Sequence, residues 1–220
     1  MNSENIMIGR TRPEHAEQLP LVICMAYRGH IQINAQECYA DEQIPTPEDV
    51  LKQIERFPEG QFVALDGEKV AGIAITMRTN YPPDAPPHRW MDAIGDLTLA
   101  RHEPDGEWLY GVEFSVRPDY QGRGVGTKLY EARFAMVKRL NLKGFYAGGM
   151  LMGYSAHRDK MTPREYGEAV ISREIKDPTV TMQMNRGFRG VSVIEDYLDE
   201  PAAGDSAVLI VRDNPDYRPR

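Results

Sequence analysis

Gln121-Gly122-Arg123-Gly124-Val125-Gly126-Thr127 follows an apolar run at 107–116, and from Val125 the apolar positions 125, 129, 132, 136, 137 and 140 recur at helical steps to about Leu142. The passage reads as strand, glycine turn, helix. Alternate glycines at such a junction bring bare backbone N–H groups close to one point, and the helix N-terminus adds partial positive charge there. The result is a seat for an anion. Register excludes three nucleotide loops. A P-loop needs lysine directly after its last glycine, but Thr127 follows Gly126 and Lys128 comes too late. A Rossmann turn needs its third glycine one residue later and an acid about 20 residues on, where 141–145 has none. A kinase glycine loop lies in a hairpin rather than before a helix. What remains is Q/R-x-x-G-x-G/A, with Gln121, Gly124 and Gly126 in the fixed places.

Working outward, 6–9 reads as an opening strand and Thr11-Arg12-Pro13-Glu14 as a capping box for a first helix. Thr46-Pro47-Glu48-Asp49 starts a second helix burying Val50, Leu51 and Ile54. Runs at 61–65 and 70–77, joined by Asp66-Gly67, form a hairpin. Prolines 82, 83, 86, 87 and 104 exclude a central strand from 80–106, an excursion expected to pack through Trp90. Strand character returns at 144–152. Helices follow from Thr162-Pro163-Arg164-Glu165 and Asp177-Pro178, and two last strands lie near 187–194 and 207–211. The order β-α-α-β-β-β-α-β-α-α-β-β predicts one α/β (α+β) domain over 1–213, a mixed, mostly antiparallel sheet flanked by helices. Residues 214–220 are expected to form a flexible tail.

The 220 residues carry 33 acids against 26 Lys and Arg, a net charge of −7 that argues against bulk attraction to nucleic acid or an anionic membrane. The start, Met1-Asn2-Ser3-Glu4-Asn5, shows no secretory signal, and the run at 19–27 is too short to span a bilayer. Cys24 and Cys38 have no CxxC spacing and are read as separate thiols in a reducing cytoplasm. The five histidines are scattered without H-x-x-x-H or H-E-x-x-H, so no metal is expected.

Phe114-Ser115-Val116-Arg117-Pro118-Asp119-Tyr120 runs straight into the glycine motif. Together they resemble the L-x-V-x-P-x-Y-Q-G-x-G-x-G signature of the GCN5-related N-acetyltransferase (GNAT) superfamily. Asn185-Arg186-Gly187-Phe188 is similar to that family's x-x-G-F element. The resemblance covers about 6–79, 107–151 and 177–211, leaving 80–106 and 152–176 as insertions. Gly148-Gly149, Gly153-Tyr154 and the Thr-Pro helix also resemble GNAT domains joined to carbon–nitrogen hydrolases. The resemblance implies acetyl-CoA as co-substrate, its pyrophosphate on the N–H groups of Arg123, Gly124, Val125, Gly126 and Thr127, with Gly122 also at the cofactor. Gln121 belongs to the same motif, and the pantetheine arm would pair with the backbone of Phe114 and Val116. It further implies an acyltransferase acting on an amine of a small molecule or peptide, with a homodimer by analogy. An acyl-CoA-binding sensor, or transfer of another acyl group, stays open.

Acetyl transfer to an amine needs a base, a donor for the thioester oxygen and an acid for the thiolate. Glu113 is the candidate base because a mid-strand carboxylate among apolar residues is desolvated; a charge at the cleft rim is its structural alternative. Strict alternation puts it with Leu109, Gly111 and Ser115, opposite Tyr110, Val112, Phe114 and Val116. Val116 offers an N–H to the oxygen. The tyrosine of the family's Y-x-x-x-G-F falls here on Gln183, which cannot donate a proton in that role. Tyr154 is the substitute candidate acid.

Overall fold

The computed structural model describes residues 6–219; the reading of the first five residues lies outside them. Seven strands form one sheet in the order β1-β2-β3-β4-β5-β7-β6. They are β1 (Met7–Arg10), β2 (Gln61–Asp66), β3 (Lys69–Thr79), β4 (Trp108–Val116), β5 (Gly144–Met150), β6 (Arg189–Ile194) and β7 (Ala207–Asp213). Every pairing is antiparallel except β4 with β5. The helices are α1 (Gln18–Arg28), α2 (Ala35–Tyr39), α3 (Pro47–Arg56), α4 (Trp90–Ile94), α5 (Val125–Arg139), α6 (Pro163–Ile171) and α7 (Val180–Met184).

Local signals place most of these. Thr46 and Asp49 exchange capping bonds at the start of α3, and Thr162 and Glu165 do so for α6. The glycine turn leads into α5 as the motif requires. Gly72 of β3 lies directly under α5, where an added Cβ would meet Val125 Cγ1 at 3.1 Å. Residues 80–106 fold back on the core: Trp90 and Leu99 are buried, and Gln53 of α3 donates to the Leu97 carbonyl at 2.6 Å.

Several expectations are corrected. Thr11 does not cap a helix; a single 3-10 turn at Pro13–His15 intervenes and α1 starts at Gln18. Leu51 is 43% exposed, because α3 turns Val50 and Gln53 inward instead. From Asn214, where a flexible tail is expected, the chain is bonded: Asn214 N–H donates to the Lys143 carbonyl at 2.8 Å, and Lys138 pairs with Asp216 at 2.7 Å. Cys24 and Cys38 are joined by a disulfide between α1 and α2, so they are not separate thiols and no longer argue for a reducing compartment. The bond closes a loop of 14 residues. Its reduction is expected to cost about 3 kcal/mol and lower Tm by roughly 5–10 °C in a reductant titration. An unchanged Tm would show the bond to be dispensable.

His102, in the 80–106 segment, stacks on Phe57 at 4.6 Å and accepts the Arg78 N–H at 3.1 Å. Burial first, then the charges of Arg78 and Arg56, hold its imidazole down to about 4, against an opposing pull from Glu103. The unfolded side chain titrates near 6.5. Stability from this group is therefore full above that value and lost as pH falls toward about 4. Melting temperature should decline across that window, and His102→Gln should flatten the decline; an equal slope in the variant would contradict this assignment.

Candidate active site

The site begins where β4 and β5 part. Their parallel ladder runs only from Trp108↔Gly144 to Gly111↔Ala147, while β5 stays paired with β7 to its end. On its other side β4 is bulged: Ile75 faces Glu113 and Thr76 faces Gly111, so Val112 has no partner. The Val112 carbonyl instead accepts Trp90 Nε1–H at 3.0 Å. Gly148 of β5 makes room for Tyr197, whose ring an added Cβ would meet at 2.3 Å.

Arg117 N–H bonds back to the Ala71 carbonyl of β3, so Phe114 and Val116 turn their N–H and C=O groups to the open edge. One group at each position is held by a nearby side chain. Phe114 N–H donates to Glu113 Oε1 at 2.9 Å, and the Val116 carbonyl accepts from Gln121 Nε2 at 3.2 Å.

Beside this edge lies an open cleft of about 790 Å3 lined by Phe114, Val116, Gln121, Gly122, Gly124, Val125, Gly126 and Thr127. Gly122 and Gly124 have φ of +72° and +77°, a region that disfavours a Cβ, and space over both is open. The first helical bond of α5 runs from Lys128 N–H to the Gly124 carbonyl, and Gly124 gives no side-chain cap. The amides of Val125, Gly126 and Thr127 therefore lack helical acceptors and form the anion seat. Arg123 is not on the cleft wall; its guanidinium lies over the Tyr120 ring at 5.0 Å. The cation at the seat is Arg186, which donates to Thr127 Oγ1 at 2.9 Å and lines the cleft. Sequence reading misses it because it arrives from 59 residues further along the chain, just after α7.

A second, more enclosed cavity of about 270 Å3 continues through the gap between β4 and β5. It shares Tyr27, Phe114, Met150 and Thr179 with the cleft. Glu113 lines it from the α1 side, with its Oε2 accepting Tyr27 Oη–H at 3.4 Å and its Oε1 accepting Ser115 Oγ–H at 2.7 Å. Burial pushes the Glu113 carboxyl above the usual range, against the pull of its three hydrogen bonds. Tyr27 is 36% exposed overall, yet its hydroxyl end sits in the cleft. Burial first, then Glu113, hold that hydroxyl well above its ordinary value, so it stays protonated. Tyr197 also lines the cavity; burial raises its hydroxyl to about 12, and it bonds to Tyr110 Oη at 2.8 Å.

Tyr154 is not brought here. It is buried in the turn after β5, packs edge-to-face with Tyr166 at 5.8 Å and donates to the Met161 carbonyl. Gln183 is on the cavity wall and donates to Tyr130 Oη at 3.2 Å. Tyr27, 86 residues before Glu113, is the hydroxyl beside that carboxylate which sequence reading missed. The described residues contain no metal-binding group of three or more His, Cys, Asp or Glu side chains. None of their helices is long and apolar enough to cross a membrane.

A seven-stranded mixed sheet parted beside a glycine-led helix defines the class. The Acetyltransferase (GNAT) family profile matches residues 29–148, and the chain belongs to that family. It is 34% identical over 186 residues to "Probable hydrolase YhcX" of Bacillus subtilis (strain 168), covering 84% of this chain and 36% of that one, so it spans about a third of that relative's length. It is 26% identical to "Uncharacterized N-acetyltransferase YkwB" of the same organism, over 83% of each chain. Among solved structures it resembles the GphF GNAT-like decarboxylase in complex with isobutyryl-CoA, with a TM-score of 0.76 and 17% identity. That match covers 94% of this chain and 99% of the other.

Proposed function

We propose that the chain transfers an acetyl group from acetyl-CoA directly to a primary amine of a small molecule or peptide. The observation that carries this reading is the junction of the two cavities at Tyr27 and Phe114, over the open edge of β4. The amides of Val125, Gly126 and Thr127, with Arg186, suit the pyrophosphate. The exposed edge at Phe114 and Val116 suits a pantetheine arm added as a short strand, once Gln121 and Glu113 release it. The thioester then falls at the junction.

Acidic residues at the inner cavity, Asp41, Asp199 and Glu200, favour entry of a cationic amine. The cationic amine gives one proton to solvent on entry, Glu113 takes the second from the nitrogen as it attacks, and its raised pKa makes it a stronger base than an ordinary carboxylate. The nitrogen forms a bond to the acetyl carbon as the carbon–sulfur bond breaks. The departing thiolate takes a proton from Tyr27, which is re-protonated from Glu113 or solvent. The Phe114 N–H that Glu113 releases and the Val116 N–H on the same edge are donors for the carbonyl oxygen during the step.

The test is thiol release from acetyl-CoA across a panel of primary amines. Release that depends on the amine, with acetylated product detected by mass spectrometry, is the expected result. Tight acyl-CoA binding without release from any amine would instead mark an acyl-CoA sensor.

A further inference from the structure

The inner cavity contains a charge that the acetyl-transfer chemistry does not use. Arg133, in the third turn of α5, is 2% exposed. Its guanidinium carbon lies 4.1 Å from the Tyr130 ring centroid, 4.7 Å from that of Phe114 and 5.0 Å from that of Phe145. Aromatic faces satisfy a cation from above and below its plane, but guanidinium N–H groups point outward within the plane. Two of its nitrogens, Nε and Nη2, have no hydrogen-bond partner. Burial weakens the hold on the proton, and the Tyr130 hydroxyl is the polar group that opposes this. No carboxylate is among the charges acting on Arg133; Glu113, on the same cavity, points to the α1 side and is occupied by Tyr27 and Ser115.

A buried cation with empty in-plane donors is costly unless something compensates it. Arg133 lines the inner cavity beside Gln183, whose Oε1 is also without a partner. The planar fork matches carboxylate and phosphate oxygens bidentately, and the carboxylate is the smaller of the two for an enclosed cavity. A cavity of about 270 Å3 has room for a compact group beyond an acetyl.

We propose that the inner cavity takes a carboxylate-bearing substrate, with Arg133 as the residue that binds the carboxylate. This rests on reading the cavity junction as the position of the thioester. The same chemistry has two sources: a dicarboxylic acyl group carried on CoA, or an amine acceptor that is itself a carboxylic acid.

Two arms separate them. In the first, calorimetry compares succinyl-CoA with butyryl-CoA, which differ at the chain end by a carboxylate against a methyl. In the second, ligand-observed NMR compares alanine with alaninamide, which needs no thioester. One arm should show a preference for the carboxylate of about tenfold or more, the scale of a hydrogen-bonded charge pair. Arg133→Met, close in volume and free of the uncompensated charge, should fold and lose that preference. Arg133→Lys should keep part of it, because the charge remains without the fork; it also serves if the methionine variant does not fold.

Preference in neither arm, or preference that survives Arg133→Met, overturns the inference. A chain that binds CoA esters and acetylates amines without such preference would leave the proposed function standing. A chain that binds no CoA ester but prefers alanine to alaninamide through Arg133 would overturn the function and keep the carboxylate site.

Discussion

Gly124→Val is expected to abolish useful CoA binding, weakening it about 100-fold or more. Gly124 has φ of +77°, where a β-branched residue is strained, and it sets the direction of the amides that follow. Strain of roughly 1–3 kcal/mol at such a position either tilts the turn or unwinds the start of α5. The new side chain would also project into the open space over the seat. Gly67→Val supplies the control, since Gly67 has φ of +61° in the β2–β3 turn, away from the cleft. It should lower stability similarly while binding of CoA persists. Equal loss of binding in both variants would mean that general destabilisation, not the seat, explains the effect.

Glu113→Gln is expected to lower kcat/KM about 100- to 1,000-fold while CoA affinity is kept. Glutamine preserves the shape and can still accept from Ser115, but it cannot take the amine proton. The pH dependence sharpens the test. Because burial raises the Glu113 carboxyl above 4.5, the wild-type rate should climb with pH through a limb displaced upward from an ordinary glutamate. The base works only when ionised, so activity is lost as pH falls through that limb. The variant should show low activity without the limb. If the limb persists in Glu113→Gln, another group is the base and Glu113 only shapes the bulge.

The parts legible in the sequence are those determined locally. The motif from Gln121 to Thr127 carries its own turn, cap and helix start, so its register could be tested against other phosphate loops residue by residue. Thr46 and Thr162 announce their helices through side chains three residues apart. Thr11 shows the limit of that logic: the same Thr-x-x-Glu spacing precedes a 3-10 turn, and its hydroxyl is buried without a partner. Strict alternation in β4 also fails as a guide, since the unpaired Val112 shifts the register on one side of the strand. Glu113 and Phe114 still face opposite helices, Tyr27 of α1 and Tyr130 of α5.

The rest of the site depends on contacts between distant segments. Tyr27, Arg133 and Arg186 each look unremarkable in sequence: a helix-end tyrosine, an arginine on a helical face and one beside a glycine. They gain meaning when β4 and β5 separate and leave a space that α1, α5 and the turn after α7 close. The disulfide is of the same kind, because Cys24 and Cys38 meet only when α2 folds back on α1. Tyr154 shows the reverse error, a residue near the site in sequence whose hydroxyl is committed elsewhere.

Calorimetric titration of the full chain with acetyl-CoA, CoA and a nicotinamide dinucleotide tests the central claim most directly. One-site binding of both CoA species is expected, with dissociation constants between about 1 μM and 1 mM. No binding is expected for the dinucleotide, because the glycine turn has the wrong register for one. Absence of binding for both CoA species, or preference for the dinucleotide, would contradict it.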